Sequence, residues 1–177
     1  MLILHNIQNI KMNYFELFGL PIGFQVDTIK LRAAFMDIQK ASHPDKFTQA
    51  TEEEQEEALE KSAMANKGFT LLNHADKLLP YVLEITGHLE ADEKYSLKPD
   101  FLMEMMELNE AWMEATNENE KSKVTVQVKN IQNEIYTPIQ KLLENPSIDA
   151  ISHEGMLQIK DFYYKKKYLD RILADFR

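Results

Sequence analysis

The residues of this chain that could do chemistry by type and spacing are His43 and Asp45, a base and a carboxylate on either side of Pro44. As a catalytic dyad they are poorly placed, because they flank a proline at a corner and no pocket-forming glycine-rich loop with a nucleophile accompanies them. His5, His43, His74, His88 and His153 include no pair at i, i+4 or short-loop ligand spacing, and read as lone surface histidines. With no cysteine there is no thiolate nucleophile, disulfide, or Cys-based zinc or iron-sulfur site. The expectation is a protein that is not an enzyme, with no catalytic residue, no metal and no cofactor. What the triplet can do is bind. Pro44 fixes its own φ and restricts His43, so Asp45 is offered as a carboxylate on a stiff corner with little ordering entropy left to lose, which suits an arginine on a partner. Residue frequencies alone supply such a triplet in about one per cent of chains this long, so its meaning depends on its surroundings.

Those surroundings read as helices. Asn13 to Leu20 has Tyr14, Leu17 and Phe18 at i, i+3, i+4, with Gly19 and Pro21 to stop it. Asp27 is a good N-cap for a second helix ending near Ser42, with Ile29, Ala33, Phe35 and Ile38 as its apolar side. Thr51 to Glu54 forms a capping-box pattern opening a third helix. Along that helix Ala58, Ser62, Ala65, Phe69 and Leu72 recur at spacings of four and three, the seam of a helix packed closely on an antiparallel neighbour. The glutamates from Glu52 to Glu60 read as a solvated face.

The composition changes around Asn73 to Pro80, and Gly87 to Lys98 is polar without a strong period, which places a domain boundary near Leu78. Beyond it Pro99 opens a very apolar helix reaching about Thr116. Another runs from about Glu118 to Leu143, interrupted at Pro138, with Asn145-Pro146-Ser147 as the turn that follows, and a last helix begins near Ser152. The fold class is therefore all-α: residues 13–77 as a helical hairpin domain, and residues 78–177 as an antiparallel three-helix bundle. Residues 1–12 read as an extension that makes a poor signal peptide.

Composition narrows the partners. A net charge of -9 disfavours nucleic acid and anionic lipid. No apolar stretch approaches the roughly 20 residues that span a bilayer. A soluble, cytoplasmic protein is expected.

Tyr14-Phe-Glu-Leu-Phe-Gly-Leu-Pro21, the basic helix from Asp27, His43-Pro-Asp-Lys-Phe47, and Ser62-Ala-Met-Ala-Asn66 with Phe69 and Leu72, in this order and spacing, resemble the J-domain of the HscB family of co-chaperones. Tyr81 to Gly87 and Phe101 to Glu110 resemble the family's C-terminal bundle. The glycine/phenylalanine-rich stretch and cysteine-rich zinc module of general DnaJ proteins are absent from the sequence. The resemblance implies that the J-domain stimulates the ATPase of a DnaK/HscA-class chaperone, and that the bundle delivers an IscU-like iron-sulfur scaffold protein to it. By motif position, His43, Pro44 and Asp45 would be essential to stimulation, with Lys30, Arg32, Lys40 and Lys46 supplying positive charge to the chaperone. The client face would be Leu102, Met103, Met106, Glu107, Glu110 and Glu114, with Tyr168 from the last helix. A homodimer is compatible with this picture.

These α-helical positions lie at i, i+1, i+4, i+5, i+8 and i+12, one stripe of apolar residues edged by carboxylates. Such a stripe is more often core than binding surface. Phe101, Met105, Leu108 and Trp112 already make a second stripe sufficient for burial, however, so one of the two is expected to be exposed. The rival reading keeps the J-domain and assigns the bundle to a different client in general protein folding.

Overall fold

The computed structural model describes residues 13–176; the extension assigned to residues 1–12 lies outside them. Among the described residues the regular structure is entirely helical: α1 (Tyr14–Phe18), α2 (Thr28–Ala41), α3 (Glu52–Leu72), α4 (Ala75–Ile85), α5 (Pro99–Glu114), α6 (Glu118–Tyr136), α7 (Gln140–Leu143) and α8 (His153–Ala174), with short 3-10 turns between some of them. They fall into two compact units that divide between Ile85 and Thr86.

In the first unit, α2 and α3 form the hairpin that the small-residue seam requires: Ala58, Ala65 and Leu72 are buried, and Phe35 meets Phe69 with ring centroids 4.5 Å apart. Ser62 donates its hydroxyl hydrogen to Gln39 Oε1 at 2.9 Å, and Gln39 Nε2 donates back to the Ser62 carbonyl. Of the apolar side assigned to α2, Phe35 and Ile38 face inward but Ile29 and Ala33 do not. Ile29 is 81% exposed and Ala33 is exposed, whereas Leu31 is fully buried with Ala34, Phe35 and Ile38 partly buried beside it. Those four lie at i, i+3, i+4 and i+7, the one set that a single helix face can turn towards α3.

The short α1 lies against α3 at Gly68. A Cβ there would stand 2.6 Å from Tyr14 Cδ1 and 3.0 Å from Phe18 Cε2, so only glycine permits this approach. The hydroxyl of Tyr81 on α4 accepts the otherwise orphaned N–H of Tyr14 at 2.8 Å. The boundary read near Leu78 falls inside α4, which continues through Pro80 and buries Leu78, Val82 and Leu83 in the first unit. Proline marks a helix interruption only where packing does not hold the helix together, and here an apolar face does so.

In the second unit, α5, α6 and α8 enclose a core of Phe101, Met105, Leu108, Val124, Val128, Ile131 and Leu169. Pro138 ends α6 in a 3-10 turn at Thr137–Ile139 before α7 resumes, and Ser152 caps α8 by accepting from the Gly155 N–H at 3.1 Å. The aperiodic stretch before α5 is strapped to α8. Tyr95 stacks on Tyr164 with centroids 4.3 Å apart and donates to Asp161 at 2.7 Å, while Glu93 pairs with Lys160. These ties link residues more than sixty positions apart, which no local period reports.

Candidate functional site

The His43-Pro44-Asp45 corner is built by local rules on a braced hairpin. Ser42, 5% exposed, is the C-cap of α2. His43 then turns extended, φ -66° and ψ 132°, as a residue before proline must. Pro44 to Lys46 make one 3-10 turn, closed by the Phe47 N–H donating to the Pro44 carbonyl at 2.9 Å. His43 Nδ1 accepts from the Asp45 N–H at 3.3 Å and sits 3.4 Å from Asp45 Oδ2. The Asp45 side chain is 88% exposed. Its carboxylate is thus held outward by a backbone with little freedom.

Gln55 is a positioning residue that the sequence reading missed: its Nε2 donates to the carbonyls of Phe47 at 3.0 Å and Ala50 at 3.2 Å, tying the far side of the corner to α3. The capping box that starts α3 braces the same segment, with Thr51 N–H donating to Glu54 at 2.9 Å and Glu54 N–H to the Thr51 hydroxyl at 3.3 Å. The backbone bond from Thr51, with help from its hydroxyl, holds the Glu54 carboxyl below the ordinary range. Beside the corner a shallow groove of about 370 Å³ runs between Pro44, Phe47 and Leu59, and Leu59 is 66% exposed.

The four basic residues are all exposed. At about 100° per residue, Lys30 and Arg32 lie roughly 160° apart around α2. Lys40 falls between them, about 80° from each, on the side of exposed Ile29 and Met36, and Lys30 is 3.7 Å from Asp27 at the N-cap. Lys46 is exposed on the corner itself.

On α5 the two stripes separate cleanly. Phe101, Met105 and Leu108 are buried in the bundle, and Trp112 stacks on Phe176 with centroids 4.5 Å apart. Met103 and Met106 are exposed on the opposite side, with Glu107, Glu110 and Glu114 beside them and Leu102 partly buried at the edge. Tyr168 is partly buried and meets α5 through Phe101, edge to face, with the Arg171 guanidinium 4.7 Å above its ring. Its ring belongs to the packing beneath the stripe more than to the exposed surface.

Two histidines read as lone are not. His88 Nε2 lies 3.2 Å from His153 Nδ1, and the other ring nitrogen of His88 meets the Thr86 hydroxyl at 3.0 Å. Burial, and then His153, push His88 below the ordinary histidine value. Among the described residues no group of three or more His, Asp or Glu side chains could hold a metal, and no helix is long and apolar enough to cross a membrane.

Residues 97–177 match the family described as the HSCB C-terminal oligomerisation domain. The chain is similar in structure to human co-chaperone protein HscB, with TM-score 0.71 and 26% identity over 96% of this chain and 82% of that one. It is also similar to the chaperone HscB of Vibrio cholerae, with TM-score 0.71 and 29% identity over 93% of this chain and 95% of that one.

Proposed function

We propose that the chain is an HscB-type co-chaperone that serves iron-sulfur cluster assembly by stimulating the ATPase of a DnaK/HscA-class chaperone and delivering an IscU-like scaffold protein to it. The observation that carries this reading is the outward Asp45 carboxylate on the proline-stiffened turn that joins α2 to α3. Lys30, Arg32 and Lys40 on α2 and Lys46 on the corner add exposed positive charge, suited to the acidic surface of a partner. In this reading Asp45 engages an arginine of the chaperone and biases the chaperone towards its hydrolysis-competent state; no bond is made or broken on this chain. The protein then acts as an adaptor rather than an enzyme, and works in the cytoplasm.

The bundle supplies the second half of the task. Its exposed stripe of Met103, Met106 and the flanking carboxylates offers an adaptable apolar surface for the scaffold, methionine being able to reshape itself to an irregular partner. Single-turnover ATP hydrolysis by the chaperone, with and without the scaffold, is the direct test. Intact chain should accelerate hydrolysis, and Asp45→Asn should not; equal acceleration by the two would refute the J-domain role. Pull-down of the scaffold should be lost in Leu102→Ala/Met106→Ala. Retention of binding there would move the client elsewhere and favour the general-folding adaptor.

A further inference from the structure

We propose that the client-binding surface continues from the exposed stripe of α5 into the groove between α5, the Pro138 bend and α8, and that this groove takes a lysine or arginine side chain of the same scaffold protein. The proposal rests on the client reading above and adds the chemistry of the contact. The groove encloses about 820 Å³ within the second unit. Its floor is apolar, formed by Phe101, Ile139 and Phe162 of the bundle, and its lips carry exposed apolar side chains, Met103 on α5 at 58% and Leu157 on α8 at 44%.

Around that apolar floor the charges are mostly of one sign. Glu104 and Glu107 come from α5, Glu134 from α6 and Glu154 from α8. Lys165 also faces the groove, its ammonium paired with Asp161 at 2.7 Å and lying 5.7 Å from the Phe101 ring centroid, and Lys98 is the other cation on the wall. Burial, followed by the nearby Glu134 and Glu107, pushes the Glu104 carboxyl up. Like charges crowded over an apolar floor fit one kind of visitor: a long aliphatic stem that ends in a cation, which Lys and Arg alone provide. Met103 and Glu107 belong to both the stripe and the groove, so a segment lying across α5 can place such a side chain there without leaving the first surface.

The test uses the full chain and an IscU-type scaffold protein, with affinity measured by calorimetry at low and moderate salt. Glu104→Gln/Glu134→Gln leaves the α5 stripe untouched. It should weaken binding about tenfold and flatten its salt dependence, the signature of a lost charge-assisted contact. The same double variant should keep or raise the thermal midpoint, because it relieves repulsion in the free protein; a structural role for these carboxylates would lower it. Unchanged affinity and salt slope, together with lost binding in Met106→Ala, would overturn the groove while the client surface stands. Binding unaffected by both variants would overturn the client reading itself. If the double variant instead shifts sedimentation from dimer to monomer with scaffold affinity intact, the groove's occupant is a second copy of this chain and the proposal fails.

Discussion

The two units carry their candidate surfaces in physically different ways. In the first, the surface is a corner: Pro44 and the cap geometry around it hold three consecutive residues outward, and the α2–α3 hairpin serves as its stem. In the second, the surface is a helix face, set by which residues the bundle leaves unburied. A corner is specified by backbone constraint and survives changes in packing nearby, provided the hairpin folds. A face is specified by rotation: turning α5 by about 100°, one residue, would exchange exposed for buried side chains along its whole length. The first surface should therefore be sensitive to chemistry at single atoms, and the second to the phase of a helix.

The largest expected effect sharpens the first half of that contrast. Asp45→Asn changes one exposed oxygen and should remove stimulation of the chaperone's ATPase in single-turnover assays, while unfolding free energy stays within about 0.5 kcal/mol, as for other surface substitutions. Substantial residual stimulation would mean that the carboxylate is not the contact. The second pits neighbours against each other. Met105→Ala empties a fully buried position and should destabilise the second unit by roughly 2–5 kcal/mol in denaturant titration. Met106→Ala, 59% exposed in the parent, should leave that stability nearly unchanged and weaken scaffold binding instead. Similar unfolding costs for the two would show that α5 is rotated from the phase described.

A smaller effect is expected at Gly68→Ala, where the new methyl collides with the Tyr14 ring. Overpacking typically costs 1–3 kcal/mol, of which the better helix propensity of alanine returns about 1, so hydrogen exchange should report a modest loosening of α1. Adding Tyr14→Ala should remove most of the penalty; if it does not, the clash is not its cause. The smallest effect belongs to the histidine pair. His88 is held below its ordinary value of 6.5, so the unfolded chain binds the proton more readily. Stability of the second unit should fall slightly as pH drops through 6.5 towards the lower folded value, and be fully present above it. A thermal midpoint of His88→Gln with the same slope between pH 7 and 5 as the parent would exclude His88 as the source.

Much of the fold can be read in local residue order because its helix ends are local. Asn13 and Glu16, Thr51 and Glu54, Asp27 with the N–H groups of Ile29 and Lys30, and Ser152 with Gly155 all interact within three residues, so their types and spacing dictate them. The corner is legible for the same reason. On α2, apolarity groups Ile29 and Ala33 with the inward Phe35 and Ile38, and only contact with α3 shows that the first two face away. The division near Leu78 misses because Pro80 carries a local penalty that burial of Val82 and Leu83 outweighs.

By itself, then, the sequence determined the helical class, the caps, the stiff corner with its exposed carboxylate, and the presence of two apolar stripes on α5. Tertiary structure alone decided which stripe is buried, that His88 meets His153, and that a carboxylate-rimmed groove opens beside Met103. The first set depends on atoms a few bonds apart along the chain, where spacing fixes geometry. The second depends on side chains brought together across thirty to sixty-five residues, whose meeting is selected by total burial and charge balance once the helices pack.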